Sequence, residues 1–414
     1  MKLAERIKQT RKEIVQKTCE LVSIPTSVPP GENYEEAASW LRNFLEECGA
    51  RVQLMNAPSH LSRTVETELS GPRVNIIGEY DLGEGPSILV AGHYDVVPVK
   101  EGEWATPPFE PVEKSGRIFG RGTADQKGAL VSAIISIREL LHSKEGAISG
   151  KIVVTATPDE EVGGRAGFGW LMNEKKVSAN ECLLTDGDID TLAIAASGTL
   201  RMNLKTHGKS GHSSEPWLAR NAIHDMIPIM SSLLSLSKRI EKRESEVKCI
   251  SNGKACKIRP SLNLDVIHGG TKVNIIPGDC MLLLDRRIPP DEDAIKAEEE
   301  IMAVIDRERF RNPKLDLTVE SEMLHGNFVS PADFKYLRAL KGAYRDIRGY
   351  APFVGGSPGA LDACYSVREG IPTVTFGVGG PESNSHGSNE SVRIEDLVTY
   401  AQIVSLSLCE YLET

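Results

Sequence analysis

The stretch Ile88-Leu-Val-Ala-Gly-His93-Tyr-Asp95-Val-Val-Pro98 decides the fold: a short, wholly apolar run delivers a histidine, and an aspartate two residues later, to its end. Such a run reads as a strand of a buried sheet, and its end is where the sheet presents side chains to an active-site rim. A metal-bound imidazole commonly donates its second N–H to a carboxylate, which fixes its tautomer. Asp95 stands where it can do this for His93.

Acidic residues recur in the same kind of position. Gly120-Arg-Gly-Thr-Ala-Asp125-Gln-Lys-Gly128 is a glycine-rich loop ahead of an apolar segment of helical period, Ala129 to His142, so Asp125 sits near a helix entrance. Lys151-Ile-Val-Val-Thr-Ala-Thr157 reads as a buried strand leading into Asp159-Glu160-Glu161. Cys182-Leu-Leu-Thr185 leads into Asp186-Gly-Asp188. The strand-like Thr373-Val-Thr-Phe-Gly377 precedes His386. Ligands of open α/β sheets bind beyond the carboxyl ends of the strands, where residues distant in sequence converge.

Two histidines, two or three acids and one spare carboxylate are the donor set of a two-metal hydrolase. Two ions about 3.5–4 Å apart polarise a carbonyl and lower the pKa of water to about 7. Zinc accepts imidazole nitrogen and carboxylate oxygen alike, and cobalt or manganese also suits N/O ligands. Neighbouring residues at a strand end project oppositely. One of Glu160 and Glu161 is therefore expected to face a metal, leaving the other as general base.

His93-x-Asp95-x-x-Pro98, Trp104…Pro108-Phe109, Gly120-Arg-Gly-x-x-Asp125-x-Lys-Gly128, Asp159-Glu-Glu161, Gly211-His212, Thr271-Lys-Val-Asn-Ile-Ile-Pro277 and His386 together resemble the aminoacylase/carboxypeptidase family of dinuclear zinc hydrolases. That family takes in acetylornithine deacetylase, succinyl-diaminopimelate desuccinylase, glutamate carboxypeptidase and carnosinase-type dipeptidases. The resemblance runs over nearly the whole chain. It implies Asp125 as a bridging ligand, His93 and Asp186 completing one metal site, and Glu161 and His386 completing the other. It further implies Glu160 as base, Asp95 as the residue orienting His93, and a cis peptide bond between Asp125 and Gln126. Where the family often has Glu-Pro, this chain has Asp186-Gly-Asp188; either aspartate could be the ligand, with Asp186 preferred because it comes straight off the strand. The resemblance also implies His212 as an oxyanion-stabilising residue that reaches a partner subunit's site, and Arg287 and Asn274 as holders of a substrate carboxylate. Gly355 and Gly356 are implied substrate contacts, in a loop longer by an insertion than the family's usual Gly-Gly-x-Asp.

At 414 residues the chain has room for two cored domains. With 26% charged and 40% hydrophobic residues it reads as neither disordered nor membrane-embedded. A net charge of −10 speaks against a nucleic-acid partner. The charged start, Met1 to Lys12, lacks the apolar stretch of a signal peptide, and the eight cysteines include no Cys-x-x-Cys, so a cytoplasmic protein with reduced thiols is expected.

One helix is expected from Leu3 to Leu21, then α/β alternation. From about residue 197 to 323 the order becomes strand, helix, strand, strand, helix, strand, the ferredoxin-like arrangement. The expected architecture is α/β: a zinc-peptidase-like mixed-sheet catalytic domain made of residues 1–196 and 324–414, with residues 197–323 inserted as a ferredoxin-like α+β lid and homodimerisation domain. Gly208-Lys-Ser210 lacks the leading glycine of a phosphate loop. His60, His142, His207, His224, His268 and His325 lack any surrounding pattern and read as surface or structural. The expected activity is cleavage of the amide bond of an N-acyl amino acid or short peptide with a free carboxylate. A related aminopeptidase would have no need of Arg287, and a non-catalytic metal- or peptide-binding relative no need of Glu160, Asp95 and His212.

Overall fold

The apolar run is the strand Ser87–His93, flanked in parallel by Lys151–Thr157 and by Glu181–Leu184. The computed structural model describes residues 2–66, 68–143, 147–251 and 254–413. Thr373–Thr375 continues the parallel set beyond Glu181–Leu184. Antiparallel strands Arg51–Asn56 and Val74–Asp81 extend one side; Thr191–Ala196, Phe328–Val329 and Phe353–Ser357 complete a mixed sheet of nine strands. All four central parallel strands end at one edge, which is why their loops can meet.

Alternate side chains of the central strands face opposite layers, as the two-residue repeat of a strand requires. Ile88, Val90, Ile152 and Val154 pack beneath the helices Lys127–His142 and Ile394–Leu412, whereas Leu89, Ala91 and Val153 pack against Phe168–Asn173 and Ala363–Arg368. Covering both faces is what makes the run from Ile88 to Gly92 apolar without interruption. The expected N-terminal helix is in fact two, Leu3–Gln9 and Arg11–Val22; between them the Thr10 hydroxyl donates to the Ile7 carbonyl at 2.8 Å, a local bond that competes with the helical ladder.

The second sheet is wholly antiparallel, in the order Ser261–Gly269, Asp279–Ile288, Gly198–His207, Asp316–His325. Helices Ala222–Ile240 and Ala294–Arg311 cover one face, each begun by a side-chain cap: Asn221 accepts from the Ile223 and His224 amides, and Asp293 from those of Ile295 and Lys296. Met226, Ile229, Leu233, Leu236 and Ile240, spaced at three and four residues, meet Met202, Leu204, Leu282 and Leu284 of the sheet. This is the ferredoxin-like order expected from the sequence. Two additions were not foreseen: a hairpin, Lys248–Ser251 with Lys254–Lys257, and a short ribbon, Gly211–His212 with Ile275–Ile276. Only Ser197 separates Thr191–Ala196 from Gly198–His207, and only Gly326 and Asn327 separate Asp316–His325 from Phe328–Val329.

Candidate active site

His93 is the last residue of its strand and is buried. Gly92 before it is obligatory: a Cβ there would run into the Thr185 hydroxyl and the Gln126 side chain, which bond each other at 2.5 Å. The Asp125–Gln126 peptide is cis, as the resemblance implied, and Lys127 opens the helix behind it. The loop carrying Asp125 is fixed from the far end of the chain. The buried Glu390 carboxylate accepts the backbone N–H of Gly122 at 3.1 Å, Ala124 at 3.0 Å and Asp125 at 3.1 Å, and takes the Arg121 guanidinium at 2.6 Å. Arg121 in turn donates to the carbonyls of His386 and Gly387, both at 3.2 Å. His386 sits at φ 64°, a left-handed conformation that a non-glycine residue holds only when its surroundings fix it.

These anchors bring two groups of donors together around one carboxylate. Asp125 Oδ1 lies 3.3 Å from His93 Nε2 and Oδ2 lies 3.1 Å from His386 Nε2. Asp186 joins His93 and Asp125, and Glu161, 3.1 Å from His386 Nε2, joins Asp125 and His386; in each group the donor atoms lie within 4.8 Å of one another. Asp188 is not among them: it bridges to Gly379 and faces a separate surface cavity.

The two glutamates part company for a reason other than the expected one. They lie in a short 3-10 turn, Glu160–Val162, beyond the strand end. The Asp95 carboxylate accepts the amide of Glu160 at 3.2 Å and of Glu161 at 3.1 Å, while Asp159 ahead of them is held by Tyr34 at 2.8 Å and Arg73 at 2.9 Å. The nearest partner of His93 Nδ1 is the Asp95 carbonyl at 3.0 Å, with the carboxylate at 3.5 Å. Asp95 thus ties the histidine and both glutamates into one unit.

Glu160 turns to a third group. Its Oε1 is 3.7 Å from His325 Nε2, which is 3.1 Å from Asp362 Oδ1, and all three residues are buried. His325, read from the sequence as surface or structural, is buried and bonded to Asp362 beside Glu160. It ends a strand of the inserted sheet, a position that no local motif marks. Glu390 and Asp362 were missed in the same way, although each lies within a stretch whose other residues drew notice.

The electrostatics are those of a cation site. Burial, then the Asp125 charge, pushes Asp186 up to about 7, and burial likewise raises Glu160 and Glu161. His386 is pushed up to about 11 by its bonds to Asp125 and Glu161. Asp125 itself moves down: burial opposes its charge, but the two imidazoles outweigh it. Since a carbonyl only accepts, His93 Nδ1 must be the N–H that donates to Asp95; in neutral imidazole Nε2 then carries the lone pair, and it is buried without a hydrogen-bond partner. A buried, uncommitted nitrogen beside shared carboxylates fits divalent ions with a taste for N and O donors.

The remaining expected residues lie on the second sheet and beyond. Arg287 is half-exposed and donates to Asp285 at 2.8 Å and Thr199 at 2.9 Å, whereas Arg286 is buried against Glu292. His212 is exposed on the short ribbon, and Asn274, also exposed, lies just before its second strand and accepts the Ser213 amide at 3.2 Å; His212 Nδ1 contacts the Ser214 hydroxyl at 2.7 Å. Gly355 and Gly356 lie in Phe353–Ser357, and the space a Cβ would need is taken by the Lys248 carbonyl and Phe353 ring at Gly355, and by Val247 and Ile258 at Gly356. Their glycine identity therefore has a packing cause.

The sequence profile of "Peptidase family M20/M25/M40" matches residues 89–409. A succinyl-diaminopimelate desuccinylase of Marinobacter nauticus is 30% identical over 340 residues, covering 79% of this chain and 84% of the relative. In fold, the chain resembles the dipeptidase Dug1p of Saccharomyces cerevisiae (TM-score 0.82, 18% identity, 100% of this chain and 98% of that one). It also resembles an M20 family metallo-carboxypeptidase of Sulfolobus solfataricus (TM-score 0.79, 21% identity, 96% and 99%).

Proposed function

This chain belongs to the peptidase family M20/M25/M40 and is a metal-dependent hydrolase, and from that premise we propose that it cleaves the amide bond of an N-acyl amino acid or short peptide bearing a free carboxylate. The observation that carries this reading is the Asp125 carboxylate, one oxygen to each of two imidazoles, with a further buried glutamate beside the pair. His93, Asp125 and Asp186 would hold one divalent ion, and Asp125, Glu161 and His386 a second; zinc suits this donor set best. Bound there, the two ions polarise the scissile carbonyl and acidify the attacking water.

Glu160 takes the proton from that water on its carboxylate and passes it to the leaving nitrogen. Asp95 keeps Glu160 at its station through the backbone, and Asp362 with His325 hems in its side chain. Arg287 grips the substrate carboxylate with charge-assisted bonds, and Asn274 adds a polar contact. His212 completes the site of a neighbouring subunit by donating to the oxygen on which charge develops. Its own surroundings support this: beside it Trp217 is 74% and Val273 99% exposed, apolar surface that a second copy would cover. Ser261–Gly269 is an edge strand with Ile267 exposed, open to pairing across a two-fold axis. Among the described residues no helix is long and apolar enough to cross a membrane. Among the described residues no disulfide joins any cysteines, which supports a reducing, cytoplasmic setting.

The decisive experiment is a hydrolysis screen of N-acyl amino acids, dipeptides and their carboxyl-amidated forms, each with zinc, cobalt or manganese. Turnover of carboxylate-bearing substrates is expected; turnover confined to substrates without a free carboxylate would overturn the reading. Within that screen, Arg287→Ala raises KM steeply for free-carboxylate substrates and leaves that for amidated ones nearly unchanged.

Metal loading is expected at two ions per subunit and depends on pH in a definite sense. Each imidazole must give up a proton to bind a metal, and Asp186, which holds its proton up to about 7, must ionise. Affinity therefore rises with pH, and lowering pH through about 7 weakens loading. Equilibrium dialysis at pH 6 and pH 8 measures both; a single ion per subunit, or affinity indifferent to pH, would count against the assignment.

A further inference from the structure

The hairpin Lys248–Ser251/Lys254–Lys257 carries two cysteines that the hydrolytic chemistry leaves unused. Its register sets Cys249 directly opposite Cys256, with the sulfurs 3.0 Å apart. Opposed residues of an antiparallel pair have Cα atoms about 4.5–5.5 Å apart. That spacing lies inside the range that disulfides accept, about 4.4–6.8 Å. A bond between the two sulfurs therefore needs them to approach by about 1 Å, with no change of backbone register. The two thiols differ in access. Cys249 is 2% exposed, while Cys256 is partly open to solvent. Lys254, two residues from Cys256 and so on the same face of its strand, is exposed. Burial, reinforced by the neighbouring sulfur, pushes the Cys249 thiol up to about 12.

We propose that Cys249 and Cys256 are a thiol–disulfide exchange site, taking low-molecular-weight disulfides as its oxidant and closing to a reversible intramolecular disulfide. The Cys256 thiolate attacks one sulfur of the small disulfide and expels the other as a thiolate. Cys249 then loses its proton to solvent and attacks the Cys256 sulfur of the mixed disulfide, expelling the second small thiol. Two protein thiols and one small disulfide become one protein disulfide and two small thiols. The cross-link bears on the rest of the molecule because the flanks of the same hairpin cover Gly355 and Gly356: the Lys248 carbonyl lies over the first, and Val247 and Ile258 over the second.

The test equilibrates the purified protein with oxidised glutathione, blocks remaining thiols with N-ethylmaleimide and maps peptides without reduction. The expected product lacks two hydrogens, carries a Cys249–Cys256 link, leaves the other six of the eight cysteines alkylated and returns to the dithiol with dithiothreitol. Cys249→Ser should stop at a stable glutathione adduct on Cys256, whereas Cys256→Ser should acquire none at Cys249. Full alkylation of both cysteines after equilibration, or a link to any other cysteine, overturns the proposal. The wild-type map decides this even if a variant folds poorly.

Discussion

Glu160→Gln lowers turnover by roughly 10²–10⁴-fold while the protein keeps both metal ions. The amide has the volume of the carboxylate but cannot accept the proton of the attacking water. Nothing else in the site should move, since Glu160 is positioned through its backbone amide on Asp95 and its side chain is no member of the two donor groups around Asp125. Glu161→Gln is the informative contrast: that carboxylate lies 3.1 Å from His386 Nε2, and its loss removes a donor from one group outright. Turnover and metal content measured together on both variants separate the roles. Metal loss in Glu160→Gln with retention in Glu161→Gln would show that the two assignments must be exchanged.

His212→Ala should cost about 10²–10³-fold in turnover as a homodimer, the usual worth of one oxyanion donor. Mixed with Glu160→Gln protein under conditions of subunit exchange, it should regain activity. In a mixed dimer, the subunit with intact Glu160 receives an intact His212 from its neighbour, while the other site lacks both. Random exchange makes half the dimers mixed, so recovery approaches about a quarter of wild type. Exchange proven by mass spectrometry without recovery would remove His212 from the neighbour's site.

What could be read from the sequence were residues that announce themselves by neighbours. His93, Asp125, Glu161, Asp186 and His386 each follow an apolar strand or open a helix, and the structure brings all five together. The ferredoxin-like order of the second sheet was legible for the same reason, since its two helices and four strands each carry their own period. His325, Asp362 and Glu390 were not legible. Each acts through a pairing between segments remote in the chain: Glu390 reaches Asp125 across 265 residues and His325 reaches Asp362 across 37. A carboxylate that serves by accepting backbone amides leaves no spacing rule behind, and the Glu160 turn was misjudged because a 3-10 segment takes over where a strand was assumed to end.

The two narrow crossings between the sheets have a mechanical consequence. Ser197 on one strand and Gly326–Asn327 on the other lie side by side, since His325 pairs with Thr199 and a side chain at Gly198 would strike Asn327. The covalent path between the two sheets is thus confined to one spot, and further contacts brace it: Arg201 pairs with Glu66 at 2.6 Å and the Val65 amide donates to Glu322 at 2.7 Å. His325 sits at that junction while its ring rests against Asp362, near the Glu160 carboxylate. One residue therefore belongs both to the seam between the sheets and to the buried trio with Asp362 and Glu160, so any change in how the sheets sit would reach the Glu160 carboxylate with no relay of intervening side chains.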